Sequence, residues 1–421
     1  MGMSELFLKF EKGYFVVNLE NMEKEYFTEE ETKAPEENSK RDFWTILEKW
    51  KKVSTKSDYD RCEVQEEELR IVIDFSRQDE HCAKKQIKEE AFLHTAETEK
   101  MEGFCRKYNE VFGRKKGIGA VELTGKELLS EENSARVKEL LDHFKDKQIQ
   151  ITTDGRNILE HKEMLRGRNI SFHIVLDSMY QEDFKKRQAE TQSRYDELGE
   201  QIKWLVKNGF DVVVSVVFYP EYADSYPALF DSLEEAGWRK EENITIQFAA
   251  EFTYGCDDID IEYWIRSLET YCALAQRDGR AADADISRLL PNGSHMTDVL
   301  KRREKKLGYQ IHRCACLCGN TLTFSPDGNV YLCNLSRNPE SIVGTYVPDL
   351  TIDTEHILRF RKRNILNMEE CLECEYRWVC RGGCPVTSMD KYDDVMCPVC
   401  EAWDEETFQF FEKMLPLREL R

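Results

Sequence analysis

The chain has 421 residues, with 60 Lys and Arg against 81 Asp and Glu and a net charge of −21. That excess of acid excludes general nucleic-acid binding and attraction to an anionic membrane surface, since both need a basic face. A hydrophobic fraction of 41% with 11% aromatics excludes global disorder, and about 150 residues per domain predicts two or three domains.

Residues 1–66 form a first segment. LFLKFEKGYFVVNLE predicts a β-hairpin broken at Gly13, EKEYFTEEETKAPEENSKRD a charged loop, DFWTILEKWKKV a short amphipathic helix and STKSDYDRCEVQEEE a linker. The opening MGMSELFLKFEKGYF lacks the basic flank, apolar core and small-residue cleavage site of a secretory signal. No apolar run reaches the ~20 residues of a membrane span. The expectation is a cytoplasmic protein with no membrane partner.

Residues 67–255 carry a regular rhythm. LRIVIDF (69–75), GIGAVELT (117–124), IQITT (149–153), ISFHIVL (170–176), DVVVSVVF (211–218) and ITIQFA (244–249) are short runs rich in β-branched residues. Helical patterns separate them, among them SARVKELLDHF, residues 157–166, a long helix ending near Asn208, and SYPALFDSLEEAG. Strands alternating with helices predict βαβ units and a parallel sheet. Six units are too few to close an eightfold barrel, so the expected fold is α/β, a partial TIM-like barrel. A doubly wound open sheet shares this rhythm. Ligands belong at the C-terminal ends of such strands.

Residues 256–312 predict a helical linker built on IEYWIRSLETYCALAQRD, with a polar stretch and a second helix after it. Residues 403–421 read as a terminal amphipathic helix.

The cysteines are the strongest signal. Of 15, only Cys62, Cys82, Cys105, Cys256 and Cys272 precede residue 314, and the other ten fall between Cys314 and Cys400. In a reducing compartment such a cluster points to metal or iron–sulfur ligation, not to a disulfide scaffold. The order is Cys314, Cys316 and Cys318, then Gly328 and Cys333, then Cys371-x2-Cys374-x5-Cys380-x3-Cys384, then Cys397-x2-Cys400. Asp327-Gly328 marks a hairpin that would carry Cys333 in on a strand. Two four-thiolate zinc sites, free thiols and two iron–sulfur clusters are the chemical alternatives.

The spacing C-x9-G-x4-C, gap, C-x2-C-x5-C-x3-C, gap, C resembles the SPASM domain of radical SAM enzymes that mature peptides and proteins, over residues 313–402. The resemblance implies two auxiliary [4Fe–4S] clusters. The first would take Cys318, Cys333 and Cys384 with Cys314 or Cys316; the second, Cys371, Cys374 and Cys380 with Cys397 or Cys400. It also implies a preceding radical SAM partial barrel. That family's catalytic cluster needs Cys-x3-Cys-x2-Cys after the first strand. The corresponding IDFSRQDEHCAKKQI holds only Cys82, beside His81, and no such triad occurs in the chain.

Other landmarks of the family are altered. Its Gly-Gly-Glu-Pro segment appears as Gly125-Lys126-Glu127-Leu128, with a positive charge where the cofactor's ammonium would sit. Its Thr-Asn-Gly appears as Thr153-Asp154-Gly155, and its Leu-Asp-Gly as Leu176-Asp177-Ser178. Glycine after a strand, an acid at a helix start and an aspartate at a strand end also have purely structural uses.

The chain thus resembles a degenerate radical SAM protein that kept its SPASM domain, and S-adenosylmethionine is not an expected cofactor. The implied role is maturation of a ribosomally synthesised peptide, with the precursor peptide or a partner maturation enzyme bound and residues 1–66 as a recognition element. An active radical SAM enzyme with non-standard ligands and a structural zinc scaffold are the alternatives. Walker, nucleophile-elbow and HExxH patterns are absent.

Overall fold

The computed structural model describes residues 5–10, 13–18, 24–28, 68–75, 98–125, 128–176, 191–249, 261–289, 312–314, 316–334, 336, 338–372, 374 and 381–399. The helices expected at 42–53, after Met296 and at 403–421 lie outside the described residues, as do Cys82, His81, Lys126, Glu127, Asp177, Ser178, Cys380 and Cys400.

Near the N-terminus β1 (Glu5–Phe10), β2 (Gly13–Asn18) and β3 (Lys24–Thr28) form an antiparallel sheet in that order. The first two are the predicted hairpin. β3 corrects the expectation of a charged loop. Tyr26, Phe27 and Thr28 prefer extended backbone, and Lys24–Thr28 pairs in register with Val17–Gly13.

Among the described residues the main sheet has eleven strands. Its parallel part is β4 (Leu69–Asp74), β5 (Ile118–Thr124), β6 (Gln148–Thr153), β7 (Ile170–Leu176), β8 (Asp211–Val217), β9 (Ile244–Ala249) and β10 (Asp285–Arg288), adjacent in chain order. A doubly wound sheet reverses its strand order at a switch point; here no reversal occurs from β4 to β10. The sheet is wound one way, as in a barrel. The span read as a helical linker adds β10, which the sequence conceals because DISR has no apolar run. Residues 157–161 are turns, and only Lys162–Leu165 of that expected helix is α-helical.

The helices between these strands are α1 (Thr98–Val111), α2 (Glu131–His143), α3 (Lys162–Leu165), α4 (Thr191–Lys207), α5 (Tyr226–Glu235) and α6 (Ile261–Arg277). The strands alternate because their two faces differ. In register, Ile73, Leu123, Ile151, Phe172, Val212 and Ile244 share one face. They join Val137, Leu140, Ile202, Leu205, Leu229 and Phe230 of the helices in one apolar core. Burying each such side chain contributes about 1.5–3 kcal/mol.

The opposite face is polar, where barrels of this kind usually pack branched apolar side chains. Arg70 donates to Glu122 at 2.7 Å and to Gln150 at 3.2 Å, and the Thr152 hydroxyl donates to Glu122 at 2.8 Å. Further along, His173 lies 2.6 Å from the Ser215 hydroxyl, which donates to Gln247 at 3.1 Å; the Gln247 amide then donates to Asp285 at 3.2 Å. The row advances along the strands as it crosses the sheet, the stagger of strands tilted in a barrel wall.

On the other side of β4 the sheet continues into β11 (Thr321–Phe324), β12 (Asn329–Tyr331), β13 (Ile342–Thr345) and β14 (Thr351–Ile352). β11 runs parallel to β4, Thr321 opposite Arg70, and the later pairs are antiparallel. Helices α7 (Thr354–Lys362), α8 (Glu369–Leu372) and α9 (Pro385–Tyr392) follow. Among the described residues no helix is long and apolar enough to cross a membrane.

Candidate functional site

The cysteine-bearing loops are hooked onto the first strand of the parallel sheet. The turn 316–319 ends at Gly319, whose φ of +69° suits glycine. A Cβ there would stand 2.6 Å from the Tyr108 hydroxyl, which instead donates to the Gly319 carbonyl at 3.0 Å. Arg114 donates to the Asn320 side chain at 2.8 Å, and the Asn320 carbonyl takes the Arg70 N–H at 2.8 Å. These bonds set Cys314–Cys318 beside the start of β4.

Cys333 comes to the same end of the sheet. Gly328 makes the β11–β12 turn with φ +87°, and β12 runs back antiparallel to β11, so Cys333 emerges near where β11 began. Cys384 caps the N-terminus of α9, with its carbonyl accepting the Ser388 N–H at 3.0 Å.

The thiols of Cys314, Cys316, Cys333 and Cys384 act on one another. The Cys314 and Cys316 sulfurs are 2.8 Å apart, with Cys314 exposed and Cys316 buried. The hydrogen bond from Cys316 draws the Cys314 thiol below its ordinary pKa, against the cost of desolvation. Cys316 is pushed up in turn, first by that bond, then by one to Cys333, then by burial. Cys384 is raised by burial, then by the charges of Cys333 and Cys314. A soft metal bound to such a set would displace the thiol protons and offset the charge of the thiolates it holds. The Cys318 sulfur donates to the Cys314 carbonyl at 3.9 Å. By contrast, Cys105 is a core thiol, pushed up to about 12 chiefly by burial, and Cys272 is raised to about 11 for the same reason.

Of the second group of cysteines, Cys371, Cys374 and Cys397 are among the described residues. Cys371 is buried on α8, and the Cys374 N–H bonds the Cys371 carbonyl at 3.2 Å. Gly382 and Gly383 have φ of +78° and +73°. A Cβ on Gly382 would lie 3.4 Å from the Met368 sulfur and 3.8 Å from the Cys371 sulfur; on Gly383 it would collide with Val399. The two glycines let the 381–384 loop close on Cys371, and the Val399 N–H fastens that loop to the 397–399 segment through the Gly382 carbonyl at 3.1 Å. Cys397 sits on the fastened segment, its sulfur 3.9 Å from the Asp394 carboxylate. Backbone donation from Met396, then the Arg359 charge, hold Asp394 below the usual carboxylate range.

Among the described residues no three His, Cys, Asp or Glu side chains converge on one point as a single metal ion requires. An iron–sulfur cluster asks for a different arrangement, four soft sulfur donors each reaching a separate iron. The donor set is all thiol and the glycine cradle admits close approach, so the residues present fit such a group.

The C-terminal ends of the parallel strands offer a separate site. A Cβ on Gly125 would lie 3.0 Å from the Phe75 Cβ, so glycine permits the approach of the β4 and β5 ends there. Asp154 accepts the Arg156 N–H at 3.1 Å and pairs with the Arg156 side chain at 3.0 Å. With Leu129, Ser130 and Asn157 these line a cavity of about 290 Å³. The thiols and this cavity stand at opposite ends of the parallel sheet. The sequence reading did not single out Arg70, Glu122, His173 and Ser215, which lie on the polar face between those ends. A polar residue with an apolar neighbour on each side inside a strand, as Glu122 between Val121 and Leu123, was the signal.

No protein-family model and no curated protein matches the chain. Among solved structures it is similar to native anSMEcpe with bound AdoMet, at 14% identity and a TM-score of 0.50 over 84% of this chain and 100% of that one. It is also similar to Streptococcus suis SuiB bound to precursor peptide SuiA, at 12% identity and a TM-score of 0.48 over 94% and 98% of the two chains. At such identity the first likeness establishes the fold, a mixed α/β chain with a parallel sheet.

Proposed function

We propose that this chain is an iron–sulfur protein of the radical SAM/SPASM type, without the S-adenosylmethionine cluster, that serves the maturation of a ribosomally synthesised peptide. The carrying observation is the gathering of Cys314, Cys316, Cys333 and Cys384, from three separate segments, at one end of a sheet shared with the barrel wall. One [4Fe–4S] cluster takes its thiolates from Cys318, Cys333, Cys384 and one of Cys314 or Cys316, and a second from Cys371, Cys374, Cys380 and one of Cys397 or Cys400. When bound, such clusters supply one-electron transfer at a potential set by charge, hydrogen bonding and exposure. The chain's own part is to fix the thiolates, keep Cys316 and Cys371 from water, and hold the cysteine loops rigidly against β4.

S-adenosylmethionine does not fit. Its cluster needs three closely spaced thiolates, and the stretch after β4 offers Cys82 alone. The peptide partner rests on the N-terminal sheet, in which β1 and β3 are the outer strands among the described residues, so that an extended peptide would add to one of them as a further strand. The net charge of −21 suits a precursor rich in Lys and Arg.

The test is chemical analysis of anaerobically purified and reconstituted protein. The expected content is about eight iron and eight sulfide per chain, two cubanes' worth. Cys333→Ala or Cys384→Ala should lower it by about half. Two zinc atoms with no sulfide would overturn the reading. Reductive cleavage of S-adenosylmethionine that survives Cys82→Ala would overturn the missing-cofactor part of it.

A further inference from the structure

Arg363 is the largest fully buried side chain among the described residues, at 0% exposure. It follows α7 in the basic run Arg359–Arg363, and the lost hydration of a buried guanidinium must be replaced by good hydrogen bonds. The replacement acceptors are specific. Nη2 donates to the Gly382 carbonyl at 2.5 Å. Nη1 donates to the carbonyls of Val395 and Cys397, the latter at 2.7 Å, and to the Ser388 hydroxyl at 3.4 Å. Ser388 in turn donates to the carbonyls of Asp394 and Cys397 at 2.5 and 2.6 Å. The Arg363 carbonyl takes the His312 ring nitrogen at 3.1 Å, two residues before Cys314.

The loops whose carbonyls accept from it bear cysteines. Gly382 lies between Cys380 and Cys384 and packs against Cys371; Val395 and Cys397 open the segment that ends at Cys400. A planar fork can grip two loops at once in a way an ammonium or an apolar side chain cannot. It also fixes a positive charge in a low-dielectric setting, where charge counts for most.

We infer that Arg363 is the positioning residue of the second thiolate set. It draws the 381–384 and 395–397 loops together around Cys371 and holds a fixed positive charge beside the thiolates. The inference rests on the iron–sulfur reading above and adds to it a residue that is not itself a ligand. A positive charge there offsets the negative charge of a thiolate-bound cluster, so its removal disfavours both loading and reduction.

The experiment compares Arg363→Lys and Arg363→Met with wild type in the full chain. It reads circular dichroism, iron and sulfide content, and an EPR-monitored redox titration. Arg363→Met is expected to keep the helix signal and lose about half of the iron and sulfide, the share of one of two clusters. Any second-set cluster it still holds should reduce at a more negative potential. Arg363→Lys, which keeps the charge without the fork, should hold a load between those of Arg363→Met and wild type, and the cluster it holds should keep the wild-type potential. A full load at the wild-type potential in Arg363→Met would overturn the inference. So would equal losses in the two variants, or failure of both to fold, since either makes the residue a plain core element. Wild-type protein free of iron and sulfide would instead bring down the reading beneath it, whatever the variants do.

Discussion

Gly382 and Gly383 show how the cysteine spacing depends on residues that carry no donor. Both occupy the left-handed region, and a Cβ on Gly383 would stand 2.8 Å from the Val399 side chain. Gly383→Ala is therefore expected to destabilise the chain by about 1–2 kcal/mol from backbone conformation alone, with more from moving Val399. Urea denaturation of the metal-free protein measures this, and an unchanged midpoint would show that the loop gives way freely. Cys384 would be displaced in the same variant, being the next residue in the chain. The sequence displayed the two glycines between Cys380 and Cys384, but their φ angles follow from how the 397–399 segment closes over them.

Between elements, a dense electrostatic contact joins α5 to the connection from α6 to β10. Arg280 donates to Asp278 at 2.8 Å, to Asp231 at 2.6 Å and to Glu234 at 3.2 Å, and stacks over Phe230 at 5.5 Å. The hydrogen bond from Arg280 is the main reason Asp278 titrates below the usual carboxylate range. A carboxylate with a lowered folded pKa contributes stability that is fully present above its unfolded pKa of about 3.9 and is lost as pH falls through the folded value. Arg280→Ala should thus cost about 1–3 kcal/mol at pH 7. The gap to wild type should narrow at about pH 3, where the unfolded carboxylate is protonated. Denaturant titrations at the two pH values check this, and an equal gap at both would show that packing on Phe230 dominates instead of charge. β10 itself was hidden in the sequence because its four residues carry no alternating apolar pattern; it is a strand because β9 offers it an edge.

At the scale of the molecule, the parallel sheet and the cysteine loops are one construction. β11 pairs with β4, and Tyr108, Arg114 and Asn320 bolt the turn before β11 to α1 and β4. Separating them would bare the β4 edge and its unpaired backbone groups. The main sheet should therefore melt with the cysteine region in a single calorimetric transition, with the enthalpy of one cooperative unit. Two resolved transitions, with the thiol region melting first, would show that the shared sheet does not couple them.

The sequence by itself placed six parallel strands to within a residue or so at each end, because β-branched runs between helical stretches have few other uses in a chain of this length. It also placed the cysteine cluster and its hairpin, because thiol spacing and Asp-Gly are local signals. Tertiary structure decided the rest. Only the strand order separates a one-way winding from a doubly wound sheet, since both share one rhythm along the chain. Only register shows that Arg70, Glu122 and Gln150 form one hydrogen-bonded group and His173, Ser215 and Gln247 a second on the same face, since along the chain each is merely a polar residue between two apolar neighbours. Arg363 looks like one more base in a basic helix end until the fold closes two cysteine loops over it, because burial is a property of what surrounds a residue and not of the residue itself.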